Sequence, residues 1–94
     1  MTQLEEKVYR KLIKTMALDE SALGGFDENS PIFGDPQPGQ VSMDLDSVDS
    51  LELLVMIEKE WGLPEIPIED MTRLTTVKEI AAYVTEHLQK GEET

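Results

Sequence analysis

The stretch DLDSVDSLELLVMIEKEW, residues 44–61, contains the change of pattern that decides the fold. Carboxylates and two serines, Ser47 and Ser50, give way to an apolar run that continues to Trp61. Gly62 follows, and a glycine directly after an apolar run is a common helix end. The pattern predicts a helix from about Ser47 to Trp61. Because its apolar residues spread beyond one stripe, we expect this helix to be central and contacted on more than one side.

Two more long helices and one short helix are predicted around it. Apolar residues recur at helical spacing over about residues 3–17 and 77–90, and a weaker pattern predicts a short helix over 69–73. Both long segments follow a threonine that has a glutamate three positions later, which is the capping-box pattern: Thr2 with Glu5, and Thr76 with Glu79.

The segment 18–46 breaks the helical pattern with paired glycines and repeated prolines, and it is predicted to be a long loop. A loop of this length in a small domain is usually functional or pinned to the core. The candidate pins are Leu23, Phe26, Ile32 and Phe33. Residues 1–94 are therefore predicted to form a single domain with an all-α fold, a four-helix bundle of three long helices and one short helix with a long first loop.

Charge is concentrated in the middle of the chain. The net charge is −12, and residues 15–72 hold fourteen acidic side chains against one base, Lys59, for a local net charge of −13. Such a field repels nucleic acid and anionic membranes, and it raises encounter rates with basic partners by about 10- to 10³-fold. With no cysteine and no apolar run approaching the ~18 residues of a membrane span, we expect a cytoplasmic monomer without stable membrane insertion.

The residue types argue against an enzyme and against a dedicated metal site. His87 is the only histidine, and we expect it to be exposed at the end of the last helix, facing the helix dipole. Four acids crowd into nine residues: Asp44, Asp46, Asp49 and Glu52. Counted from the first of them, Val48 and Asp49 fall where an EF-hand loop needs an oxygen ligand and a glycine, so only weak divalent binding is expected.

Position alone leaves two interpretations of Ser47. A serine at a helix start is an ordinary N-cap that stabilises by about 1 kcal/mol. The unpaired N–H groups and positive dipole end at the same place also suit a phosphate ester on the hydroxyl.

Several motifs in order resemble acyl carrier proteins. DSVDSLEL, residues 46–53, is similar to the Asp-Ser-Leu-Asp-x-apolar-Glu-Leu signature in which the serine holds a 4′-phosphopantetheine arm. The similarity continues through EKEW at 58–61, Ile66-Pro67 and LTTV at 74–77, so it covers about residues 44–88. The order and spacing of these motifs carry more weight than any one of them.

The resemblance places the arm on Ser47 and not on Ser50. With Ser47 as the attachment site, Glu52, Glu58 and Trp61 stand at the family's offsets of +5, +11 and +14. The second serine would shift all three out of register.

The resemblance implies a non-catalytic acyl carrier. A phosphopantetheinyl transferase would move the arm from coenzyme A to Ser47, and the arm's thiol would carry acyl chains as thioesters for fatty-acid, polyketide or related lipid biosynthesis. Acyl-processing enzymes with basic docking patches are the other implied partners. The implied contacts are Asp46, Val48, Leu51, Glu52, Val55, Glu58 and Glu60. An aminoacyl or D-alanyl carrier and an unmodified acidic helical interaction protein remain as alternatives.

Three departures from the family pattern suggest a specialised partner set. Asp44 stands where a glycine is frequent, Val48 replaces the usual leucine after the serine, and Lys59 interrupts the acidic run. The loop segment GDPQPGQ at 34–40 is an insertion. We therefore hypothesise a carrier for a secondary-metabolite or modified-lipid pathway.

Overall fold

The computed structural model of the chain describes residues 1–92, and it gives residues 89–92 as helix backbone only. Three α-helices carry the fold: α1 (Gln3–Thr15), α2 (Ser47–Trp61) and α3 (Val77–Glu92). A 3₁₀ helix over Ile68–Arg73, called the short helix below, stands at the fourth predicted position, and a 3₁₀ turn lies within the first loop. The predicted all-α fold is confirmed.

Helix α1 begins as predicted and ends early. Thr2 Oγ1 accepts a hydrogen bond from Glu5 N at 3.1 Å, and the Glu5 carboxylate accepts one from Thr2 N at 2.7 Å, which completes the capping box. The predicted end at residue 17 is wrong by two residues, because Ala17 takes the left-handed conformation with φ 52°. A left-handed residue stops the helical path, and the chain turns away there.

We expect Ala17→Gly to raise the free energy of unfolding by about 0.5–1 kcal/mol. Left-handed backbone costs alanine more than the extra conformational freedom that glycine loses on folding. Ala82→Gly is the matched control, since Ala82 is exposed within α3 and its replacement should lower the free energy of unfolding by about 1 kcal/mol. Urea denaturation measures both, and a loss of stability in Ala17→Gly would contradict the expectation.

The cap of α2 is Asp46, so the interpretation of Ser47 as N-cap is wrong. Asp46 Oδ1 accepts hydrogen bonds from Val48 N at 3.0 Å and Asp49 N at 3.2 Å, while Asp49 Oδ2 accepts one from Asp46 N at 3.0 Å. A carboxylate can accept both free N–H groups of the first turn, which leaves Ser47 as the first helical residue. The helix ends at left-handed Gly62 as predicted.

The core lies between the three helices and the first loop. Its members on α1 are Val8, Tyr9 and Leu12, those on α2 are Leu53, Leu54, Met56 and Ile57, and those on α3 are Val77, Ile80, Ala81, Tyr83 and Val84. The expectation that α2 is contacted on more than one side is confirmed, because Glu60 pairs with Lys11 on α1 and Glu58 accepts a hydrogen bond from Ile66 N on another side. A further face stays uncovered, since Val48, Leu51 and Val55 remain exposed. Helix α2 thus carries more apolar surface than the core covers.

The first loop is pinned as predicted. Leu23 and Ile32 are buried, and Phe26 and Phe33 pack half-buried against the core. Two further pins that the sequence analysis did not identify, Met43 and Leu45, are also buried. Leu45 N donates to Ile32 O at 3.1 Å and Ile32 N donates to Thr75 O at 3.0 Å, so the loop's two arms are tied to each other and to the start of α3.

Helix α3 fixes the short helix through Tyr83. The Tyr83 hydroxyl donates to Asp70 Oδ2 at 2.8 Å. His87 is half-buried and not exposed as expected, because it lies one turn after Tyr83 on the same face of the helix. Its ring stacks on that of Tyr83 with centroids 4.0 Å apart, and its Nδ1 lies 2.9 Å from Tyr83 O. At the start of α3, Glu79 N donates to Thr76 Oγ1 at 3.1 Å, which is half of the predicted capping box.

We expect the protein to lose stability between about pH 10 and pH 12. Burial, followed by the hydrogen bond to Asp70, raises the pKa of Tyr83 from 10.0 to about 12. The folded protein therefore binds this proton more tightly than the unfolded chain. The resulting stabilisation is complete below pH ~10 and is lost as the pH rises to about 12.

The variant Tyr83→Phe tests this expectation. It should cost about 1 kcal/mol at neutral pH through the lost hydrogen bond, and its stability should fall less steeply above pH 10. Absorbance of the tyrosinate ion should show that the variant lacks the ionisation near pH 12. A native protein whose tyrosines both ionise near pH 10 while folded would contradict the assignment.

Candidate functional site

Ser47 is presented to solvent at the first position of α2. Its hydroxyl makes no hydrogen bond to any part of the chain that the structure describes. The Asp46 carboxylate occupies the capping position beside it and accepts the hydrogen bonds that a serine cap would have accepted. The Ser47 oxygen is therefore free to react and lies at the positive end of the helix dipole.

Ser50 differs from Ser47 in both burial and bonding. It is half-buried, and its hydroxyl donates to Ser47 O at 2.6 Å. A hydroxyl committed to the backbone one turn earlier is a poorer acceptor of a new group. The geometry thus separates two serines that stand in the same sequence context.

An open cleft of about 480 Å³ adjoins Ser47. It lies between the first loop and the short helix and is lined by Phe33, Gly34, Asp35, Asp44, Leu45, Asp46, Ser47, Ser50 and Met71. Asp44 adopts φ 54° at its edge, which explains why a glycine suits that position. The cleft combines carboxylates near the serine with the apolar side chains of Phe33, Leu45 and Met71.

The outward face of α2 carries the exposed apolar residues. Val48 is 76%, Leu51 55% and Val55 45% exposed, and Glu52 is exposed among them. A second groove, of about 740 Å³, runs between this helix and the short helix. Ile68, 65% exposed, lies on its far wall. Ile68 was not identified from the sequence, although an apolar residue between a proline and two acids is a usable signal.

Three of the predicted contact carboxylates have partners within the chain. Asp46 caps α2, and Glu58 Oε2 accepts a hydrogen bond from Ile66 N at 2.9 Å. Glu60 forms ion pairs with Lys11 at 3.0 Å and Lys7 at 3.9 Å. Their contacts with other proteins stay predictions.

Among residues 1–92, no three side chains of His, Cys, Asp or Glu lie close enough to hold a metal ion. No helix in this part of the chain is long and apolar enough to cross a bilayer.

Comparison with known proteins points to one family. Residues 35–84, just over half of the chain, match the family model described as a phosphopantetheine attachment site. A curated relative, an acyl carrier protein from Rubrobacter xylanophilus, is 42% identical over 45 residues. That alignment covers 48% of this chain and 54% of the relative, so the chain spans about half the length of the curated relative it matches.

Proposed function

The chain belongs to the phosphopantetheine-attachment family, and from this membership we propose that it is an acyl carrier whose arm is attached at Ser47. The family's cofactor is 4′-phosphopantetheine, and the resemblance to acyl carrier proteins is confirmed at this level. One observation carries the choice of residue. The Ser47 hydroxyl is exposed and unbonded at the first position of α2, whereas that of Ser50 is committed to the backbone.

The surroundings of Ser47 fit an extended arm joined through a phosphodiester. The helix N-terminus offers a positive potential to the phosphate, which offsets part of the repulsion from neighbouring carboxylates. The adjoining cleft has a polar rim at Asp44 and apolar walls at Phe33 and Met71, which suits a chain of amides and methylenes. When bound, the arm supplies a terminal thiol that forms a thioester with the cargo.

The chain's own part in its modification is that of a nucleophile. Ser47 Oγ would form the new bond to phosphorus, and the transferase would accept its proton and release the nucleotide portion of coenzyme A. The only histidine, His87, lies on α3 in contact with Tyr83. A base supplied by the transferase therefore accounts for the activation, and the protein remains a non-catalytic carrier.

The outward face of α2 is proposed as the docking surface for the transferase and for acyl-processing enzymes. Val48, Leu51 and Val55 supply exposed apolar area, and Asp46 and Glu52 supply charge for basic patches. Apolar contacts surrounded by complementary charge are the usual composition of a transient interface. Cargo of the fatty-acid, polyketide or related lipid type, and a cytoplasmic location, complete the proposal.

Loading of the arm tests the function. The full chain is incubated with coenzyme A and a broad-specificity phosphopantetheinyl transferase, then with an acyl-transferring enzyme and its acyl-coenzyme A. Intact mass should show one arm and then one acyl group that hydroxylamine releases as a thioester. No arm on this protein, with a control carrier modified in the same tube, would favour the unmodified interaction protein. Loading by an amino-acid-activating enzyme alone would favour the aminoacyl carrier.

A further inference from the structure

The charge on the outward face of α2 changes from negative to positive along the helix. At 100° per residue, Val48, Glu52, Val55 and Lys59 lie within about 60° of one another around the helix. All four are exposed, so they form one ridge, with Leu51 at its edge. Starting from the Ser47 end, this outer ridge is apolar, acidic, apolar and then basic. Lys59 stands about 10 Å beyond Glu52 at 1.5 Å per residue.

The carboxylates on either side do not cancel the charge of Lys59. Glu58 turns towards the segment before the short helix, where it accepts a hydrogen bond from Ile66 N. Glu60 turns towards α1, where two lysines compensate it. Lys59 has no ion pair with any side chain in the described part of the protein, so its positive charge is fully available to a partner.

We propose that Lys59 is a specificity determinant, an inference that rests on the proposed carrier function. It selects enzymes whose docking surface changes sign, with a base opposite Glu52 and a carboxylate opposite Lys59, and it disfavours enzymes whose patch is basic throughout. Charges about 10 Å apart are separated by more than the ~8 Å Debye length at physiological salt, so a partner meets them as two distinct contacts. Charge arrangement of this kind chiefly sets association rate and partner choice.

Loading of the arm-bearing full chain by a uniformly basic enzyme tests this proposal. The probe is a malonyl-coenzyme A transacylase from a housekeeping fatty-acid pathway, chosen for a wholly basic docking patch. Lys59→Glu should raise kcat/KM about tenfold. Lys14→Glu is the control, since Lys14 is also an exposed lysine in the last turn of its helix, and it should change kcat/KM by less than about twofold. Equal effects of the two variants would overturn the proposal.

The partner's carboxylate is tested by reversing charge on the probe. Each base of the transacylase patch is changed singly to glutamate. One such variant should load the native protein about fivefold faster than the parent transacylase does, and this gain should disappear with Lys59→Glu. If no variant loads the native protein faster, the proposal that the partner surface carries a carboxylate opposite Lys59 is overturned. Absence of the arm on Ser47 would instead reject the carrier function itself, so the two failures are distinguishable.

Discussion

Ser47→Ala is expected to abolish attachment of the arm, while Ser50→Ala keeps it. The proposed phosphodiester is formed through the Ser47 oxygen, which alanine lacks, and the hydroxyl of Ser50 is committed to Ser47 O. Because Asp46 and not Ser47 caps the helix, the alanine variant keeps both capping hydrogen bonds and should fold with native stability. Loss of modification in this variant therefore reports on chemistry and not on folding.

The two serine variants are compared by intact mass after incubation with coenzyme A and a phosphopantetheinyl transferase. Ser50→Ala removes only a hydrogen bond to Ser47 O, which contributes about 1 kcal/mol, and should still gain one arm. Circular dichroism and thermal unfolding check that both variants stay helical. An arm retained in Ser47→Ala, or lost in Ser50→Ala alone, would move the attachment site to the second serine.

For helix α2, the sequence predicts the two ends but not the residue that caps the first turn. The start at Ser47 and the end at Gly62 follow from pattern alone, since apolar periodicity and a terminal glycine need no tertiary knowledge. The identity of the cap does not. Asp and Ser are both favoured N-cap residues, so residue type admits either Asp46 or Ser47, and only the backbone path into the helix separates them.

The burial of individual side chains could not be predicted from the sequence pattern either. His87 was expected at the surface because polar residues in a last helical turn usually lie there, but it lies one turn after the buried Tyr83 and stacks on its ring. The opposite case is the apolar residues of α2 that are exposed. Periodicity identifies a broad apolar surface without telling which part faces the core and which faces a partner. Ile57 and Val55 are indistinguishable by that criterion, yet one is buried and the other exposed.

Glu52→Lys is expected to lower the kcat/KM of arm attachment about tenfold, through slower association with a basic transferase. Glu52 is the exposed acid on the outer ridge, five residues beyond Ser47, and it makes no ion pair within the described residues. The change costs the fold little, since an exposed side chain without internal contacts contributes little to stability. Initial rates of arm attachment, measured by mass spectrometry at several concentrations of the carrier, give kcat/KM.

Glu6→Lys separates docking from net charge. Glu6 is an exposed acid on α1, and its partner Arg10 keeps an ion pair with Glu20, so the variant changes the total charge by the same amount without touching α2. Its rate should stay within about twofold of the native rate, and the deficit of Glu52→Lys should shrink at high ionic strength as screening weakens the repulsion. Equal losses in the two variants would show that the transferase responds to overall charge. A loss confined to Glu52→Lys would locate the contact on α2, near the proposed attachment site at Ser47.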